Sequence, residues 1–301
     1  MLRLIADSGS TKTTWCLADS EAGSPTLLKP VQTQGLNPLY ATSADIEAAA
    51  REVIARTACA CPQRVEFYGA GCSGERIPQV EQVLRKVFPK AEVEVASDVL
   101  GACRALYPAS GREGSSEGNP LPSAGIACIL GTGAIAARYD ARTDRFQAAP
   151  SLGYILGDEG SGSWLGKRVL SDYLKQQMPR SARELFEADY GEGVITPEKV
   201  IAKVYKEPYP NRYLASFAIF VGTHPEHSYC RQLAFEGIET FFDRNVKVLR
   251  PEGQEPISFV GSVAYHLRDT IQAVAELNGF RLARVLKEPM EGLAGWNGVR
   301  V

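Results

Sequence analysis

The stretch that decides the fold is Leu2-Arg-Leu-Ile-Ala-Asp-Ser-Gly-Ser-Thr-Lys-Thr-Thr14. Alternate apolar residues run into Asp7, a turn of glycine and hydroxyl residues follows, and a second apolar segment spans Trp15 to Ala18. This order predicts a β-hairpin with a tight turn at Ser8-Gly9-Ser10. Gly9 leaves room for backbone amides to approach an anion.

The side chains of this turn suit a polyphosphate that is bound beside a metal ion. Ser10, Thr11 and Thr13 supply hydroxyl donors, Lys12 supplies a positive charge, and Asp7 supplies a carboxylate that could hold Mg²⁺. An ordinary hairpin turn would explain the same residues, so other parts of the chain have to distinguish the two interpretations.

The same arrangement recurs in the second half of the chain. The strand Gly125–Leu130 precedes Gly131-Thr132-Gly133, and another strand, Ala134–Tyr139, follows. The two hairpins indicate an internal duplication. Glycine-rich turns also follow predicted strands at Gly69–Gly74 and Gly261-Ser262, although none has the spacing of a P-loop or of a dinucleotide-binding fingerprint.

Strands and helices alternate along the chain, which is typical of an α/β protein with mixed sheets. Further strands are predicted at 26–33, 65–68, 93–96, 256–260 and 280–286, with a short one around Phe146. Helices are predicted at 44–57 (capped by Ser43), 77–88, 99–106, 163–177, 182–188, 197–204, 214–222, 227–249 and 263–277. The segment Pro108–Ser123 is almost devoid of apolar residues and reads as a linker. We therefore predict domains at 1–122 and 123–289, with the closing segment, about 290–301, packing back onto the first.

Composition limits the classes of partner. The chain has 301 residues, of which 45% are hydrophobic and 23% charged, and its formal net charge is -2. These values fit a protein with a full core and give no indication of a nucleic-acid or membrane partner. No apolar run approaches the roughly 20 residues of a membrane helix, and the first residues lack the features of a signal peptide. These patterns predict a cytoplasmic protein.

The cysteines and histidines form no metal-binding pattern. The seven cysteines include no CxxC pair, and the odd number argues against a complete disulfide framework. We interpret them as reduced thiols in small apolar spaces. His224-Pro-Glu-His227 is not an HExxH motif, and no third ligand accompanies it in the sequence.

Three motifs, in this order, resemble the phosphate-1, phosphate-2 and adenosine motifs of the actin-like ATPase superfamily, which includes sugar kinases, actin and heat-shock chaperones. They are Asp7–Thr13, Leu130–Gly133 and Val260–Ala264. The segment Gly153-Tyr-Ile-Leu-Gly-Asp-Glu-Gly-Ser-Gly162 is similar to the GDEGS segment of N-acetylglucosamine kinases and of the related BadF/BadG/BcrA/BcrD ATPases. The resemblance spans Leu2 to Gly292. It implies an α/β fold of two ribonuclease-H-like domains, each a mixed β-sheet flanked by helices, with the active site in the interdomain cleft.

The resemblance also implies roles for individual residues. Asp7 would lie near Mg²⁺, largely through water. The phosphates of ATP would be held by Gly9, Ser10, Thr11, Lys12 and Thr13 from one hairpin and by Gly131, Thr132 and Gly133 from the other. Adenosine would pack against Gly261 and Ser262. Asp98 would accept the proton of the substrate hydroxyl, and the sugar pocket would be lined by Asn37, Ser73, Asp98, Asp158 and Glu159.

Simpler interpretations exist for several of these residues. Asp98 could be only the N-cap of the helix at 99–106, and Asp158-Glu159 could cap the helix that begins at Ser163. Lys12 could be a solvated turn lysine. Asp98 nevertheless follows a predicted strand, where active sites of open α/β sheets are found, and a carboxylate at that place can act as a general base.

The preferred function is an ATP-dependent kinase that phosphorylates the 6-hydroxyl of N-acetylglucosamine or a related amino sugar, with ATP and Mg²⁺ as cofactors. The partner would be a small-molecule amino sugar, with no nucleic acid or membrane, and a homodimer is compatible with the family. One alternative is an ATPase activator of a radical dehydratase or reductase, for which Cys72 and Cys128 near the nucleotide loops would be candidate cluster ligands. Another is a non-catalytic sugar or nucleotide sensor.

Overall fold

The structure is a computed structural model that describes residues 1–9, 11–19, 26–27, 30–59, 61–108, 121–250 and 255–296. The chain forms two compact units. The first comprises Met1–Ala124, Tyr139–Phe146 and Glu288–Val301, and the second comprises Gly125–Arg138 and Gln147–Lys287. No helix in the described part of the chain is both long enough and apolar enough to cross a membrane.

The strands of the described residues build one six-stranded sheet and one five-stranded sheet. Their bounds are β1 (Leu2–Ser8), β2 (Lys12–Asp19), β3 (Thr26–Leu27), β4 (Val31–Gln34), β5 (Arg64–Gly69), β6 (Glu92–Ser97), β7 (Ala124–Leu130), β8 (Ala134–Asp140), β9 (Arg145–Ala148), β10 (Pro256–Val260) and β11 (Arg281–Leu286). The helices are α1 (Ser43–Thr57), α2 (Arg76–Val87), α3 (Asp98–Leu106), α4 (Gly153–Leu156), α5 (Gly162–Leu174), α6 (Arg180–Tyr190), α7 (Pro197–Tyr205), α8 (Pro210–Ser216), α9 (Ala218–Thr223), α10 (Ser228–Phe241), α11 (Ser262–His266), α12 (Arg268–Leu277) and α13 (Met290–Gly295).

The first sheet has the order β3-β2-β1-β5-β6, and β4 also pairs with β2. β1 and β2 form the predicted antiparallel hairpin, whereas β1, β5 and β6 run parallel. The parallel register sets Ser8 beside Gly69 and Gly69 beside Ser97. Because parallel strands end at the same edge, the residues that flank these ends, Asp7 and Asp98, are held at one edge of the sheet.

Helices cover both faces of this sheet. Leu4 belongs to a core cluster that includes residues of α1 and α2. Its neighbour Arg3 has its guanidinium against the carbonyls of Leu293 and Ala294 in α13. Since successive residues of a strand face opposite sides, α13 lies on the other face. Helix α13 was not predicted as a separate element.

The second sheet has the order β11-β10-β7-β8-β9. β10 runs parallel to both β7 and β11. A buried cluster of aromatic and aliphatic side chains joins β7 and β10 to α5, α6, α9, α10 and α12. Within it, the rings of Phe241 and Phe242 both pack near the ring of Phe259.

Several element bounds differ from the sequence prediction. The predicted single helices at 214–222 and 263–277 are each two helices, α8 with α9 and α11 with α12, and the chain turns at the buried residues Phe217 and Leu267. The predicted long helix at 227–249 ends its α-helical part at Phe241 and continues as a π-helical turn, Phe242–Val246, and a 3-10 turn, Lys247–Leu249. The predicted strand at 26–33 is replaced by the two short strands β3 and β4.

The helix caps differ both from the predicted cap, Ser43, and from the alternative caps considered for Asp98, Asp158 and Glu159. Thr42, rather than Ser43, caps α1, and it forms a reciprocal capping box with Asp45. Ser97, rather than Asp98, caps α3 by accepting a hydrogen bond from the backbone of Leu100. Ser161 caps α5, so neither Asp158 nor Glu159 is its cap.

Candidate functional site

The first hairpin turn is held by a relay of hydroxyl groups. The backbone N–H of Leu36 donates to Ser8 Oγ at 3.1 Å, and Thr13 Oγ1 donates to the carbonyl of Gln34 at 2.8 Å. Thr13 thereby uses its one hydroxyl proton, so the 2.9 Å contact between the two hydroxyls is a donation from Ser8 to Thr13. The Thr13 hydroxyl, expected to hold phosphate, is therefore buried and joins β2 to β4.

Fewer hydrogen-bond donors of this turn are available to a ligand than the sequence indicated. The N–H of Gly9 donates to the carbonyl of Lys12 at 3.0 Å and closes the turn. Thr11 and Lys12 are exposed, and the Thr11 amide and hydroxyl donate to no other group in the part of the chain that the structure describes. Ser10 lies outside the described residues.

Two carboxyl groups flank this edge of the first sheet, and both have a raised pKa. Burial, together with the neighbouring charges of Asp98 and Glu288 and against the charge of Lys12, raises the pKa of Asp7 to about 7. Burial likewise raises the pKa of Asp98 to about 6, against the hydrogen bond that its carboxylate accepts from the backbone N–H of Val99 at 3.0 Å. These carboxyl groups are therefore poised to exchange a proton near neutral pH.

The surroundings of Asp7 fit a magnesium ion that is held largely through water. Its partly buried carboxylate accepts no hydrogen bond from any described residue. No group of three or more His, Cys, Asp or Glu residues in the described ranges could form an all-protein metal site. Mg²⁺ commonly binds through one or two carboxylates, waters and substrate phosphates, so a single unpartnered carboxylate beside a phosphate-binding turn is a suitable donor.

Two predicted sugar-binding residues lie around the loop that follows β5. Asn37 is buried, and its side-chain oxygen accepts a hydrogen bond from the N–H of Leu39 at 2.9 Å. Gly71 lies against this side chain, since a Cβ at Gly71 would be 2.2 Å from Asn37 Oδ1. Ser73 follows in the same loop and is exposed. The structure thus brings Asn37 to the loop that contains Ser73.

The second glycine turn, Gly131–Gly133, is fastened to the GDEGS segment. The N–H groups of Gly162 and Ser163, at the start of α5, donate to the carbonyls of Gly131 and Thr132 at 2.8 and 3.1 Å. The N–H groups of Thr132 and Gly133 donate to no described residue. A Cβ at Gly131 would have no atom within 4 Å. The turn therefore has two backbone amides without a partner among the described residues, and open space beside Gly131.

Asp158 reaches the same turn, where its Oδ1 accepts a hydrogen bond from the N–H of Ala134 at 3.1 Å. Its backbone is in the left-handed region, with φ 55°, a conformation that costs energy for a residue with a side chain. Burial and the neighbouring Glu159 raise the pKa of Asp158, and Lys167 lowers it. Strained backbone of this kind is concentrated at functional sites.

The π-helical turn after α10 holds the other carboxylate of the segment. Asn245 is buried and donates from Nδ2 to Glu159 Oε2 at 3.2 Å. Gly160 lies directly on α10, where a Cβ would be 2.8 Å from the carbonyl of Gly237. Asn245 was not singled out from the sequence, although π-helical turns are frequent at functional sites.

Gly261 is explained by packing within the second sheet. Its φ is 131°, and a Cβ there would be 2.2 Å from the carbonyl oxygen of Leu130. Its own N–H donates to the carbonyl of Leu286 at 3.0 Å. The glycine thus lets β10 end tightly against β7, and Ser262 follows as an exposed residue at the start of α11.

Glu288 is the main site residue that sequence analysis missed. Its Oε1 lies 2.7 Å from Lys12 Nζ, and its charge acts on Asp7. No motif marks it, because it is separated from Lys12 by 276 residues. The thiols of Cys72 and Cys128, which an activator would need as cluster ligands, are both buried at 0% exposure.

The comparisons with known proteins identify the fold. No protein-family model matches the chain, and no curated protein matches it. Among solved structures, a candidate N-acetylglucosamine kinase from Porphyromonas gingivalis has 38% identity and a TM-score of 0.81, over 97% of this chain and 96% of that one. A candidate N-acetylglucosamine kinase from Chromobacterium violaceum has 18% identity and a TM-score of 0.68, over 97% of both chains. A candidate sugar kinase from Cytophaga hutchinsonii has 11% identity and a TM-score of 0.51, over 98% of both chains.

The two sheets, their flanking helices and these similarities define an actin-like ATPase fold, as the sequence predicted. The identity to the Porphyromonas gingivalis protein extends over nearly the whole of both chains. The chain therefore belongs to the N-acetylglucosamine kinase-like group of the BadF/BadG/BcrA/BcrD ATPase family.

Proposed function

We propose that this protein is an ATP-dependent kinase that transfers the γ-phosphoryl group to the 6-hydroxyl of N-acetylglucosamine or a related amino sugar. Membership of a family of candidate sugar kinases supports the reaction class. The observation that carries the proposal is the pair Asp7 and Asp98 at the shared end of the parallel strands β1, β5 and β6, both with a raised pKa. Such an arrangement supplies a metal-binding carboxylate and a general base for phosphoryl transfer.

The nucleotide is assigned to the glycine turns. Thr11 and Lys12, with Ser10, hold the β- and γ-phosphates through hydroxyl, amide and ammonium groups. The free amides of Thr132 and Gly133 are suitable donors to phosphate oxygens. Gly9 and Thr13 contribute by holding the first turn in shape, because their donors are used within the protein. Gly261 and Ser262 receive the adenosine.

In this proposal the acceptor sugar is assigned to Asp98 and to the other residues predicted to bind it. Asp98 takes the proton of the attacking hydroxyl, for which a pKa of about 6 is well placed. Asn37, Ser73, Asp158 and Glu159 orient the sugar. Mg²⁺ beside Asp7 would neutralise the charge on the phosphates. Closure around both substrates would exclude water and suppress ATP hydrolysis in the absence of sugar.

The decisive variant is Asp98→Asn. Without the carboxylate, we expect phosphorylation to fall by about 10²–10⁴-fold, while the affinities for MgADP and for the sugar stay close to those of the wild type. Coupled ADP release measures the turnover, and calorimetry measures both affinities. Turnover of the variant within a few-fold of the wild-type value would show that Asp98 is not the base.

The substrate is tested with a panel of amino sugars: N-acetylglucosamine, N-acetylmuramic acid, glucosamine and N-acetylmannosamine. A 6-deoxy analogue of the best substrate lacks the proposed acceptor hydroxyl, so it should inhibit competitively and release no ADP. No turnover with any sugar of the panel would contradict the kinase proposal. Turnover of the 6-deoxy analogue would contradict only the choice of hydroxyl. A cytoplasmic location and a homodimeric state remain predictions of the sequence.

A further inference from the structure

In the first unit, Lys12, at the end of the turn between β1 and β2, forms an ion pair with Glu288, which is distant in the sequence. Lys12 Nζ and Glu288 Oε1 are 2.7 Å apart, and the two side chains are 47% and 48% exposed. Lys12 is the only lysine or arginine between residues 7 and 14. Glu288 follows β11, where the chain enters the first unit again. The cation assigned to phosphate therefore has a carboxylate of the same unit as its partner.

A carboxylate oxygen and a phosphate oxygen make the same kind of contact with an ammonium group. The Lys12 ammonium has three N–H donors, so a donor that it gives to Glu288 is lost to the phosphates of a nucleotide, and the carboxylate partly neutralises its charge. Glu288 also adds negative charge close to Asp7. Both effects oppose the binding of a polyanion.

We propose that Glu288 is a displaceable latch on Lys12 that lowers the affinity of the protein for nucleotide. Glu288 holds the Lys12 ammonium in the free protein, and the phosphates of ADP or ATP take Glu288's place when the nucleotide binds. The inference rests on the proposed function only as far as nucleotide binding at this turn. It adds a residue that acts through Lys12 and needs no contact with substrate.

The expected effect is modest, because exposed ion pairs contribute little. Release of a pair of this kind corresponds to about a two- to fivefold change in an equilibrium constant. Glu288→Gln should therefore bind MgADP about two- to fivefold more tightly than the wild-type protein at low ionic strength. The difference should shrink at about 0.5 M salt, where exposed charges are screened.

The matched control is Glu291→Gln. Glu291 is an exposed carboxylate three residues further on, in the first turn of α13, and its removal changes the net charge by the same amount. Lys12→Gln is the second substitution of a double-mutant cycle with Glu288→Gln. In the Lys12→Gln background, Glu288→Gln should change MgADP affinity less than it does when Lys12 is present, because only the effect of its charge near Asp7 remains. Calorimetry in the absence of sugar measures all these affinities, and thermal unfolding verifies that each variant is folded.

Three results would overturn the latch. Glu288→Gln could match Glu291→Gln in the presence of Lys12, it could weaken MgADP binding in both backgrounds, or the wild-type protein could bind no MgADP. The second result would identify Glu288 as a direct contact of the nucleotide or of Mg²⁺. Failure of the kinase proposal is distinguishable, because it would appear as MgADP binding without turnover of any sugar.

Discussion

At the scale of single residues, burial makes the ionised forms of the Asp7 and Asp98 carboxyl groups unfavourable in the folded protein. In the unfolded chain an aspartate titrates near pH 4, whereas burial raises the pKa of Asp7 to about 7 and that of Asp98 to about 6. Between about pH 4 and its folded-state pKa, each of these carboxyl groups binds a proton more tightly in the folded state than in the unfolded state. The contribution of each group to stability therefore falls as the pH rises from about 4 through the folded-state pKa.

Asp7→Asn and Asp98→Asn should consequently stabilise the protein at pH 8. Without nucleotide or Mg²⁺, we expect a rise in Tm of roughly 2–6 °C at pH 8 and a smaller rise at pH 5, where only part of the loss of stability between about pH 4 and the folded-state pKa has occurred. Thermal unfolding at the two pH values measures this difference. Asp45→Asn is the control of opposite sign, because hydrogen bonds with Thr42 lower the pKa of Asp45 and its charge favours the folded state at pH 8. Equal Tm values for the wild type and Asp7→Asn at pH 8 would contradict the expectation.

At the scale of elements, the glycines of the turns divide into two kinds. Gly261 has φ 131° and a neighbouring carbonyl in the place of its Cβ, so the close approach of β10 to β7 requires it. Gly131 has open space at the same position. The sequence shows two similar glycine turns after strands, whereas the structure assigns one to sheet packing and leaves the other free for a ligand.

Gly261→Ala and Gly131→Ala should therefore fail in different ways. Gly261→Ala should lower the free energy of unfolding by about 2 kcal/mol or more, because a strained φ and a backbone clash coincide. Gly131→Ala should fold with a Tm close to that of the wild type but bind MgATP at least several-fold more weakly, since its methyl group enters the open side of the turn. Denaturant unfolding and calorimetry separate the two effects. A stable Gly261→Ala with weakened nucleotide binding would reverse the assignment.

At the scale of the whole molecule, one buried arginine joins segments that are remote in sequence. Arg104 of α3 forms ion pairs at 2.6 Å with Glu94 of β6 and Asp144 of the Tyr139–Phe146 segment, and it donates to the hydroxyl of Tyr68. Its guanidinium also lies 3.9 Å from the ring centroid of Trp296. These contacts hold α3, which begins at Asp98, against β5, β6, the turn between β8 and β9, and Trp296 after α13, all within the first unit.

Arg104→Met should be strongly destabilising, because it leaves the partly buried carboxylate of Asp144 without its arginine partner and removes one of the two arginines that pair with Glu94. We expect a loss of about 3–5 kcal/mol in the free energy of unfolding, measured with a chemical denaturant. Arg142→Met is the matched control, since Arg142 pairs with Asp140 but is 71% exposed, and its loss should change the free energy of unfolding little. Similar losses for the two variants would show that burial does not make the Arg104 contacts special.

The sequence by itself determined the fold class, the first hairpin and the order of the glycine turns. These features follow from local rules: alternation of apolar residues, turn residues, and motifs shorter than about ten residues. Most helices and strands were predicted near their observed positions for the same reason. The breaks at Phe217 and Leu267 and the π-helical turn after Phe241 were not predicted, because the core into which these side chains pack is assembled from distant segments.

Only the tertiary structure decided which groups of the first turn remain available. The sequence presents Gly9 and Thr13 as donors like their neighbours, but the strand pairings of the fold consume the Gly9 amide and the Thr13 hydroxyl. It also gave no sign of Glu288, which meets Lys12 only because the chain returns to the first unit near its end. Hydrogen bonds and charges act through space over a few ångströms, so a local pattern can name the turn but cannot show what reaches it from far along the chain.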